Sequence, residues 1–261
     1  MKLLVQGDDF GFTRGVTDGI VDSIDFGVLR NTGLFTNMPS SEYAVTFMKN
    51  RPQVCFGIDF NIVSGKPVCD KRSVPHLVDE KGEFIRSGVR LQDPQFQSEE
   101  GRRAMFPYDE VYMEMKAQYD RFVSLTGRKP GYLHAHSLMH ENYMDVLRRL
   151  SKDTGIPFSM DIMQQVHAAT MLGKMSTKKV FDPAAQLNKD PFADFMSAEK
   201  NYLSSEYGWV GGHPGYIDAE LLELTTLSLE RCKDAQMCMS SQFKEWIEKN
   251  HVQLITYYDL Y

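Results

Sequence analysis

The order of apolar segments in the first sixty residues constrains the fold more than any other feature of the chain. A short apolar run, KLLVQ at 2–6, stops at a glycine and predicts a buried strand. Segment 13–26 has helical spacing, 34–38 predicts a second strand, 43–49 a second helix and 54–62 a third strand. Strands that alternate with helices in this way predict parallel β/α units.

The later segments continue this pattern around one long interruption. Residues 64–108 are irregular, with scattered Gly, Pro and charges, and we expect them to leave the scaffold, where they could cover a site. Residues 165–205 are hard to assign and are expected to contain short helices. The remaining patterns predict strands at 131–136, 156–161 and 252–258, a strand followed by a loop over 207–215, and helices at 108–126, 144–150, 218–237 and 243–250. The length of 261 residues fits one large domain as easily as two small ones.

Charge and composition argue against several classes of protein. The net charge is -6 and no basic patch of any length occurs, so a nucleic-acid binder is not expected. No stretch approaches the ~20 apolar residues of a membrane span. The opening MKLLVQGDDF lacks the apolar core and cleavage site of a signal peptide. The four cysteines have no CxxC spacing, and we expect a cytoplasmic protein with reduced thiols.

Two adjacent aspartates, Asp8 and Asp9, follow the first predicted strand directly. Acidic residues at the carboxyl ends of barrel strands are where active sites of such folds are built. Neighbouring carboxylates point in different directions, so one can bind a metal while the other acts as a base. The alternative is a polar turn in which an aspartate caps the next helix.

A histidine-rich segment, HAHSLMH at 134–140, is the second candidate. His134 and His136 share a face if the chain is extended, and His136 and His140 converge if a helical turn begins between them. Either arrangement can hold a divalent metal. Asp59 interrupts an apolar strand, and a buried carboxylate needs a partner, which a metal ion, an arginine or a backbone cap would supply.

A third candidate, His213, lies in the loop sequence GGHPG after a predicted strand. The glycines and the proline predict a sharp, irregular loop, and loops on a rigid scaffold often carry catalytic groups. The other three histidines have no such setting and are interpreted as structural or surface residues: His76, His167 and His251.

Four segments in this order resemble the YdjC-like carbohydrate deacetylases, which include the chitooligosaccharide deacetylases. They are LLVQGDDFGFTRGVTDGI, FGIDFNIVSGKPV, GRKPGYLHAHSLMH and GGHPGYID, and the similarity spans nearly the whole chain. The resemblance implies an irregular TIM-type (β/α) barrel and one domain over 1–261. It also implies a homodimer that uses a divalent metal, with magnesium expected ahead of manganese or zinc. The implied reaction removes an N-acetyl group from an amino sugar or chitooligosaccharide, which could carry a 6-phosphate.

The resemblance also assigns roles by position. It implies that Asp9 and His136 are metal ligands, that Asp8 is the base, and that His213 is the acid or stabilises the transition state. Asp59 stands where the family usually has a histidine ligand, so the implied ligand set is Asp9, Asp59 and His136. His134 and His140 are candidates for an additional ligand or site residue.

The chain departs from the family pattern near this centre. Besides Asp59, His134 stands where the family usually has an aspartate, and Ser159 where it has an arginine. A carboxylate in place of an imidazole adds negative charge and favours harder ions such as magnesium or manganese. These departures leave open an altered substrate, an altered metal or lost activity.

The predicted mechanism is metal-assisted amide hydrolysis, in which Asp8 takes a proton from water and His213 protonates the leaving amine. Trp209 or Tyr216 is expected to stack on a sugar ring, although core packing would explain either residue equally well. One rival is a metal-independent hydrolase that cleaves a phosphorylated disaccharide between two carboxylates. The other rival is a sugar-binding or regulatory protein without turnover.

Overall fold

The computed structural model describes residues 1–171 and 181–261, which fold around a curled parallel sheet. Its strands are β1 (Lys2–Phe10), β2 (Asn31–Leu34), β3 (Cys55–Phe60), β4 (Leu133–Ala135), β5 (Ala169–Thr170), β6 (Tyr207–Gly212) and β7 (Gln253–Ile255). The order across the sheet is β4-β3-β2-β1-β6-β5, and β7 pairs with β1. Every one of these pairings is parallel. The sheet forms a half-barrel surrounded by helices, which confirms the predicted barrel-like α/β fold.

Helices surround the sheet. They are α1 (Arg14–Asp25), α2 (Ser41–Met48), α3 (Ser87–Gln92), α4 (Glu99–Met105), α5 (Tyr108–Thr126), α6 (Glu141–Thr154), α7 (Ser159–Gln165), α8 (Pro183–Leu187), α9 (Pro191–Ser197), α10 (Glu199–Leu203), α11 (Ala219–Leu224), α12 (Leu229–Met239) and α13 (Ser241–Lys249). None of these helices combines the length and apolarity that a membrane crossing requires.

The two faces of β1 contribute to different parts of the core, because successive side chains of a strand point to opposite sides. Leu3 and Val5 join the large core beneath the helices. Leu4 points to the other face and joins a smaller buried cluster: Leu4, Cys55, Tyr132, Ile162, Ile255 and Tyr257. Gln6 and Asp8 follow Leu4 on this second face. Near the carboxyl end of β1, polar side chains therefore lie next to the smaller apolar cluster.

The long helices agree with the sequence predictions. The helix predicted at 13–26 is α1, which begins after Thr13, whose hydroxyl accepts a hydrogen bond from the Val16 N–H. The helix predicted at 108–126 is α5, and it ends at Gly127 with φ 69°, a left-handed conformation that suits glycine. The strong apolar stripes of such helices make their positions predictable.

Two strand predictions need correction. The strand predicted at 34–38 is β2, which begins earlier, at Asn31, and ends at Leu34. The apolar residues that follow are buried outside the ladder, so burial rather than strand pairing explains their hydrophobicity. The strand predicted at 156–161 is wrong: Phe158 makes one parallel bridge to Leu133, and α7 begins at the next residue.

Two later elements also differ from the predictions. The single helix predicted at 218–237 is broken into α11 and α12, because Thr225 is extended and its hydroxyl accepts a hydrogen bond from the Leu227 N–H. The strand predicted at 252–258 ends at Ile255. A 3₁₀ turn over Tyr257–Asp259 follows, capped by Thr256.

The irregular segment 64–108 leaves the sheet as predicted, although the short helices α3 and α4 within it were not predicted. Glu114 of α5 holds its beginning by accepting hydrogen bonds from two backbone N–H groups, at 2.9 and 3.1 Å. The short helices expected in 165–205 are confirmed as α8, α9 and α10. Residues 172–180 of that range lie outside the described residues.

Candidate active site

Three side chains converge at the carboxyl ends of β1, β3 and β4. Asp8, Asp59 and His134 are all buried, and one potential ligand atom from each lies within 4.8 Å of the others. Asp59 and His134 are register partners on the adjacent strands β3 and β4, so their side chains share one face of the sheet. We refer to these three residues as the cation cluster.

A glycine of β2 provides the space for Asp59. A Cβ atom at Gly33 would lie 1.8 Å from Asp59 Oδ1, so no larger residue fits beside this carboxylate. Asp59 Oδ2 accepts a hydrogen bond from the Asp9 N–H at 2.8 Å. Asp59 Oδ1 is buried and has no hydrogen-bond partner among the described residues. A buried carboxylate oxygen of this kind is costly unless a cation or a proton satisfies it.

The other two members of the cluster are held by neighbouring side chains. Gln6 Nε2 donates a hydrogen bond to Asp8 Oδ1 at 2.6 Å. His134 Nε2 lies 3.6 Å from Asp8 Oδ2, and His134 Nδ1 lies 2.7 Å from Ser159 Oγ. One ring nitrogen of His134 therefore faces the cluster while the other contacts Ser159.

The electrostatics of the cluster favour an added positive charge. Burial, reinforced by Asp8, raises the pKa of Asp59 well above its ordinary value. Burial alone would also raise the pKa of Asp8, but His134 outweighs it and the pKa is lowered. Burial lowers the pKa of His134, yet the attraction of Asp8 and then Asp59 is stronger and raises it to about 9. Without a cation, a proton on His134 balances one carboxylate and the second is driven to stay neutral.

The donor set fits a divalent cation. Two carboxylates and one imidazole are ligands that manganese, zinc and related ions accept, and the free Asp59 Oδ1 supplies a ready ligand atom. The set implied by the resemblance was Asp9, Asp59 and His136, which shares only Asp59 with the cation cluster. The choice between the two sets remains a prediction.

Asp9 and His136 form a separate pair beside the cation cluster. Asp9 is completely buried and has φ 74°, a left-handed conformation that is uncommon for a residue with a Cβ. His136 Nδ1 lies 2.9 Å from Asp9 Oδ1, and Arg231 Nη2 donates to Asp9 Oδ2 at 2.6 Å. Burial opposes ionisation, but His136 and Arg231 together hold the pKa of Asp9 well below its ordinary value. Asp9 is therefore an ionised carboxylate with two basic neighbours, although its Oδ1, like Asp59 Oδ1, makes no hydrogen bond among the described residues.

The surroundings of His136 suit proton transfer. Its ring packs edge-on against Phe35 at 4.7 Å between centroids, and 16% of its side chain is exposed. An imidazole that is oriented by a buried carboxylate and is partly exposed to solvent is a common arrangement for a general acid or base. The alternative in which an aspartate merely caps the first helix is not what the structure has, since Thr13 caps α1.

The remaining histidine candidates occupy different settings. His213 follows β6, where its N–H donates to Asp234 Oδ2 at 2.9 Å, and it is close enough to lower the pKa values of both Asp8 and Asp9. His140 is not part of the cluster. It stacks on Phe106 with 3.9 Å between centroids and accepts a hydrogen bond at the start of α6. Burial lowers the pKa of His140 to about 3, so it stays neutral.

The two aromatic candidates for sugar binding also differ. Trp209 is half-buried, and its Nε1–H donates to Gln6 Oε1 at 3.3 Å, beside the cation cluster. Tyr216 Oη donates to Asp22 Oδ2 of α1 at 2.7 Å, which, together with burial, raises the pKa of Tyr216 to about 12. Trp209 therefore adjoins the site, whereas the hydroxyl of Tyr216 is bound to α1.

Sequence reasoning missed four residues of this region: Gln6, Gly33, Arg231 and Tyr257. Arg231 lies on a helix more than two hundred residues from its partner Asp9, and it looks like any other charged residue of an amphipathic helix. Gln6 offered a signal, because a polar residue near the end of a buried strand needs a partner.

Comparisons with known proteins find matches over nearly the whole chain. The family model described as YdjC-like protein matches residues 2–249. A carbohydrate deacetylase 2 of Listeria innocua is 32% identical over 272 residues, covering 100% of this chain and 99% of the relative. A carbohydrate deacetylase of Geobacillus stearothermophilus is 30% identical, covering 99% of this chain and 97% of the relative. The crystal structure of a putative cellobiose-phosphate cleavage protein from Enterococcus faecalis has a TM-score of 0.79 at 22% identity, covering 99% and 98% of the two chains, and shows the same fold.

Proposed function

The chain belongs to the YdjC-like protein family, and from that premise we propose that it is a metal-dependent carbohydrate deacetylase. Its substrate is an amino sugar or chitooligosaccharide that carries an N-acetyl group. The observation that carries the metal dependence is the cation cluster, in which Asp8, Asp59 and His134 converge and one buried oxygen lacks a partner. The names of the relatives from Listeria innocua and Geobacillus stearothermophilus support the reaction.

Asp8, Asp59 and His134 would hold the cation. When bound, a divalent cation polarises the acetyl carbonyl and stabilises the negative charge that develops on its oxygen. Two carboxylates favour magnesium, and the imidazole also admits manganese or zinc.

In this proposal the proton acceptor is His136. Asp9 Oδ1 lies 2.9 Å from its Nδ1, which orients the ring. Asp8 was predicted from the sequence to be the base, but one of its oxygens is occupied by Gln6 and the other faces His134. His213 keeps its predicted role and protonates the leaving amine.

The test is acetate release. Purified protein is treated with a chelator and then supplied with magnesium, manganese or zinc. Substrates are N-acetylglucosamine and chitobiose-type oligosaccharides, each with and without a 6-phosphate. We expect chelation to stop acetate release and at least one ion to restore it. Asp59→Asn should stay inactive with every ion, whereas Asp109→Asn, which changes an exposed carboxylate at the start of α5, should behave as the wild type.

Three outcomes would contradict the proposal. Acetate release that continues after chelation would rule out the metal dependence. Cleavage of a glycosidic bond without acetate would favour a hydrolase of phosphorylated disaccharides. Sugar binding without turnover by any ion would favour a non-catalytic protein and would point to the departures at Asp59, His134 and Ser159.

Three further expectations extend this proposal. Stacking of Trp209 or Tyr216 on the sugar predicts that Trp209→Ala or Tyr216→Ala raises KM. A homodimer predicts twice the chain mass in light scattering, and the cytoplasmic location predicts that a tagged copy fractionates with the cytosol. A chain that is monomeric at micromolar concentration would contradict the prediction of a homodimer.

A further inference from the structure

Four hydrogen bonds and one longer ion-pair contact join five side chains in a closed ring on the face of the sheet that carries Gln6 and Asp8. Gln6 Nε2 donates to Asp8 Oδ1 at 2.6 Å, and Tyr257 Oη donates to Gln6 Oε1 at 2.6 Å. Ser159 Oγ contacts His134 Nδ1 at 2.7 Å, and the Ser159 side chain also hydrogen-bonds Tyr257. His134 Nε2 lies 3.6 Å from Asp8 Oδ2, which closes the circle. We refer to these five residues as the hydrogen-bond ring.

The orientation of the Gln6 amide is fixed from both ends. Trp209 Nε1, which can only donate, lies 3.3 Å from Gln6 Oε1. The carboxylate of Asp8, which can only accept when ionised, faces Gln6 Nε2. A reversed amide would set donor against donor at one end and acceptor against acceptor at the other. The ring therefore has a single direction at Gln6.

This direction passes to His134 through two hydroxyl groups, each of which has one proton to donate. Tyr257 uses its proton on Gln6, so its oxygen can only accept from Ser159. Ser159 uses its proton on Tyr257, so its oxygen accepts from His134. His134 Nδ1 must therefore carry a proton, and Nε2 is the nitrogen that faces the cation cluster.

We propose that Gln6, Tyr257 and Ser159 are positioning residues: they fix a proton on His134 Nδ1 and keep Nε2 available as the cation ligand. The inference rests on the proposed function, since it concerns the cation cluster, and it extends the site to residues that do not touch the cation. A histidine ligand commonly donates its second N–H to a fixed acceptor, which orients the ring and raises its basicity.

Burial makes the ring an effective restraint. Gln6, Tyr257 and Ser159 are 1%, 0% and 2% exposed, so water cannot easily replace a missing partner. The Tyr257 ring stacks on Tyr132 at 4.1 Å between centroids, which fixes the position of its hydroxyl. If one of these side chains is removed, we therefore expect the remaining hydroxyl and imidazole groups to change which partner they donate to, because no water molecule takes its place.

The test compares two substitutions at Ser159 with a matched control. Ser159→Ala removes the acceptor for His134 Nδ1–H, whereas Ser159→Thr keeps a hydroxyl. Ser23→Ala deletes an equally buried hydroxyl that bonds Gly19 O at 2.7 Å within α1, away from the site. Side-chain ¹⁵N NMR of the metal-free protein at about pH 10, above the pKa of about 9 of His134, reports which ring nitrogen of the neutral imidazole carries its one proton. The signals are assigned with His134→Gln. Calorimetry with manganese or zinc reports affinity, and thermal unfolding reports stability.

We expect a solvent-protected Nδ1 proton on His134 in the wild type, in Ser159→Thr and in Ser23→Ala, and its loss in Ser159→Ala. Metal affinity of Ser159→Ala should fall about 10- to 100-fold, while Ser23→Ala changes only thermal stability. An Nδ1 without a proton in the wild type, or wild-type affinity in Ser159→Ala, would overturn the inference. A wild type that binds no metal but shows the protected proton would refute the metal dependence and leave the ring direction standing.

Discussion

Asp8 and Asp9 are neighbours in the chain but lie in opposite electrostatic settings. Asp9 is balanced by Arg231, a permanent positive charge 2.6 Å away, and by His136. Asp8 shares its surroundings with a second carboxylate, Asp59, and their charge is offset mainly by the titratable His134, with a smaller contribution from His213. The charge of Asp9 is therefore balanced without a cation, whereas the cation cluster around Asp8 carries an excess of acidic groups.

The difference arises because the backbone conformation at Asp9 sends the two neighbouring carboxylates to different surroundings. The left-handed φ of 74° at Asp9 directs its carboxylate away from the face that carries Asp8. A residue held this way persists only when its surroundings compensate the strain, and the buried Arg231 supplies that compensation. A carboxylate with a fixed counter-charge suits the orientation of a histidine, and one without it suits a cation.

Among variants that distinguish the surroundings of Asp8 from those of Asp9, we expect Asp8→Asn to have the largest effect on metal binding and acetate release. The change removes a charge from the cation cluster but can keep the hydrogen bond with Gln6, so we expect metal binding and acetate release both to fall to background. Calorimetry and an acetate assay measure this. If metal binding survives while turnover is lost, Asp8 is the base, and the ligand set is Asp9, Asp59 and His136 as the sequence predicted.

His136→Gln tests the other side of the comparison. We expect metal affinity close to that of the wild type and turnover about 10²- to 10⁴-fold lower, the usual contribution of a general acid or base. His76→Gln, at an imidazole that is 59% exposed, serves as the control. Loss of metal binding in His136→Gln would show that His136 is a metal ligand and that the Asp9–His136 pair belongs to the same metal site as the cation cluster.

How much of this the sequence could predict depends on the range of the interactions. The β/α order, α1, α5 and the candidates Asp8, Asp9 and His213 follow from local periodicity and from motifs. The partners do not, because Arg231 and Tyr257 reach the site from segments more than two hundred residues away. The sequence also did not predict that His134 would contact Asp8 while His136 contacts Asp9, since this depends on where β4 ends.

Arg231→Met should destabilise the fold, because it leaves the buried Asp9 without its fixed counter-charge. We expect a loss of about 3–5 kcal/mol in the free energy of unfolding at pH 7. The Asp9→Asn/Arg231→Met double variant should lose less, since no charge is left behind. Arg148→Met, at a side chain that is 51% exposed, is the control, and urea unfolding is the measurement.

The sign of the pH dependence sharpens this prediction. The folded pKa of Asp9 is depressed, so its contribution is present above the unfolded value, about 3.8, and is lost as the pH falls through the folded value. In Arg231→Met that pKa rises, so the deficit should shrink as the pH is lowered. A deficit that does not change with pH would mean that lost packing, not charge, causes it.

The two departures from the family pattern at Asp59 and His134 amount to one change. The resemblance places a histidine at the first position and an aspartate at the second, and these positions are register partners on β3 and β4. The chain therefore exchanges the two groups across the strands and keeps both ligand types. Such an exchange preserves the cation cluster, whereas either change alone would alter its composition.

The exchange can be reversed. Made alone, Asp59→His and His134→Asp should each weaken metal binding or change the preferred ion, because the first leaves one carboxylate beside two imidazoles and the second leaves three carboxylates. The double variant should recover binding to within about 10- to 100-fold of the wild type, since it loses only the contact between His134 and Ser159. Calorimetry measures all three. A double variant no better than the single ones would show that the two positions are not interchangeable.

The smallest expected effect is a gradual one, the pH dependence of metal affinity. In the metal-free protein His134 has a pKa of about 9, so its proton must leave before Nε2 can bind a cation. Affinity should therefore rise at least tenfold for each pH unit between 7 and 9, because a proton on Asp59, whose pKa is also raised, must leave as well. Calorimetry in buffers of different ionisation enthalpy should detect between one and two protons released for each cation bound at pH 7.

Stability of the metal-free protein should move in the opposite direction. A raised folded pKa means that the contribution of His134 is complete below its unfolded value, about 6.5, and is lost as the pH rises through about 9. The window in which the metal-free cluster weakens is thus the window in which it binds a cation best. An affinity that is flat between pH 7 and 9, with no proton released, would remove His134 from the ligand set and return the role to His136.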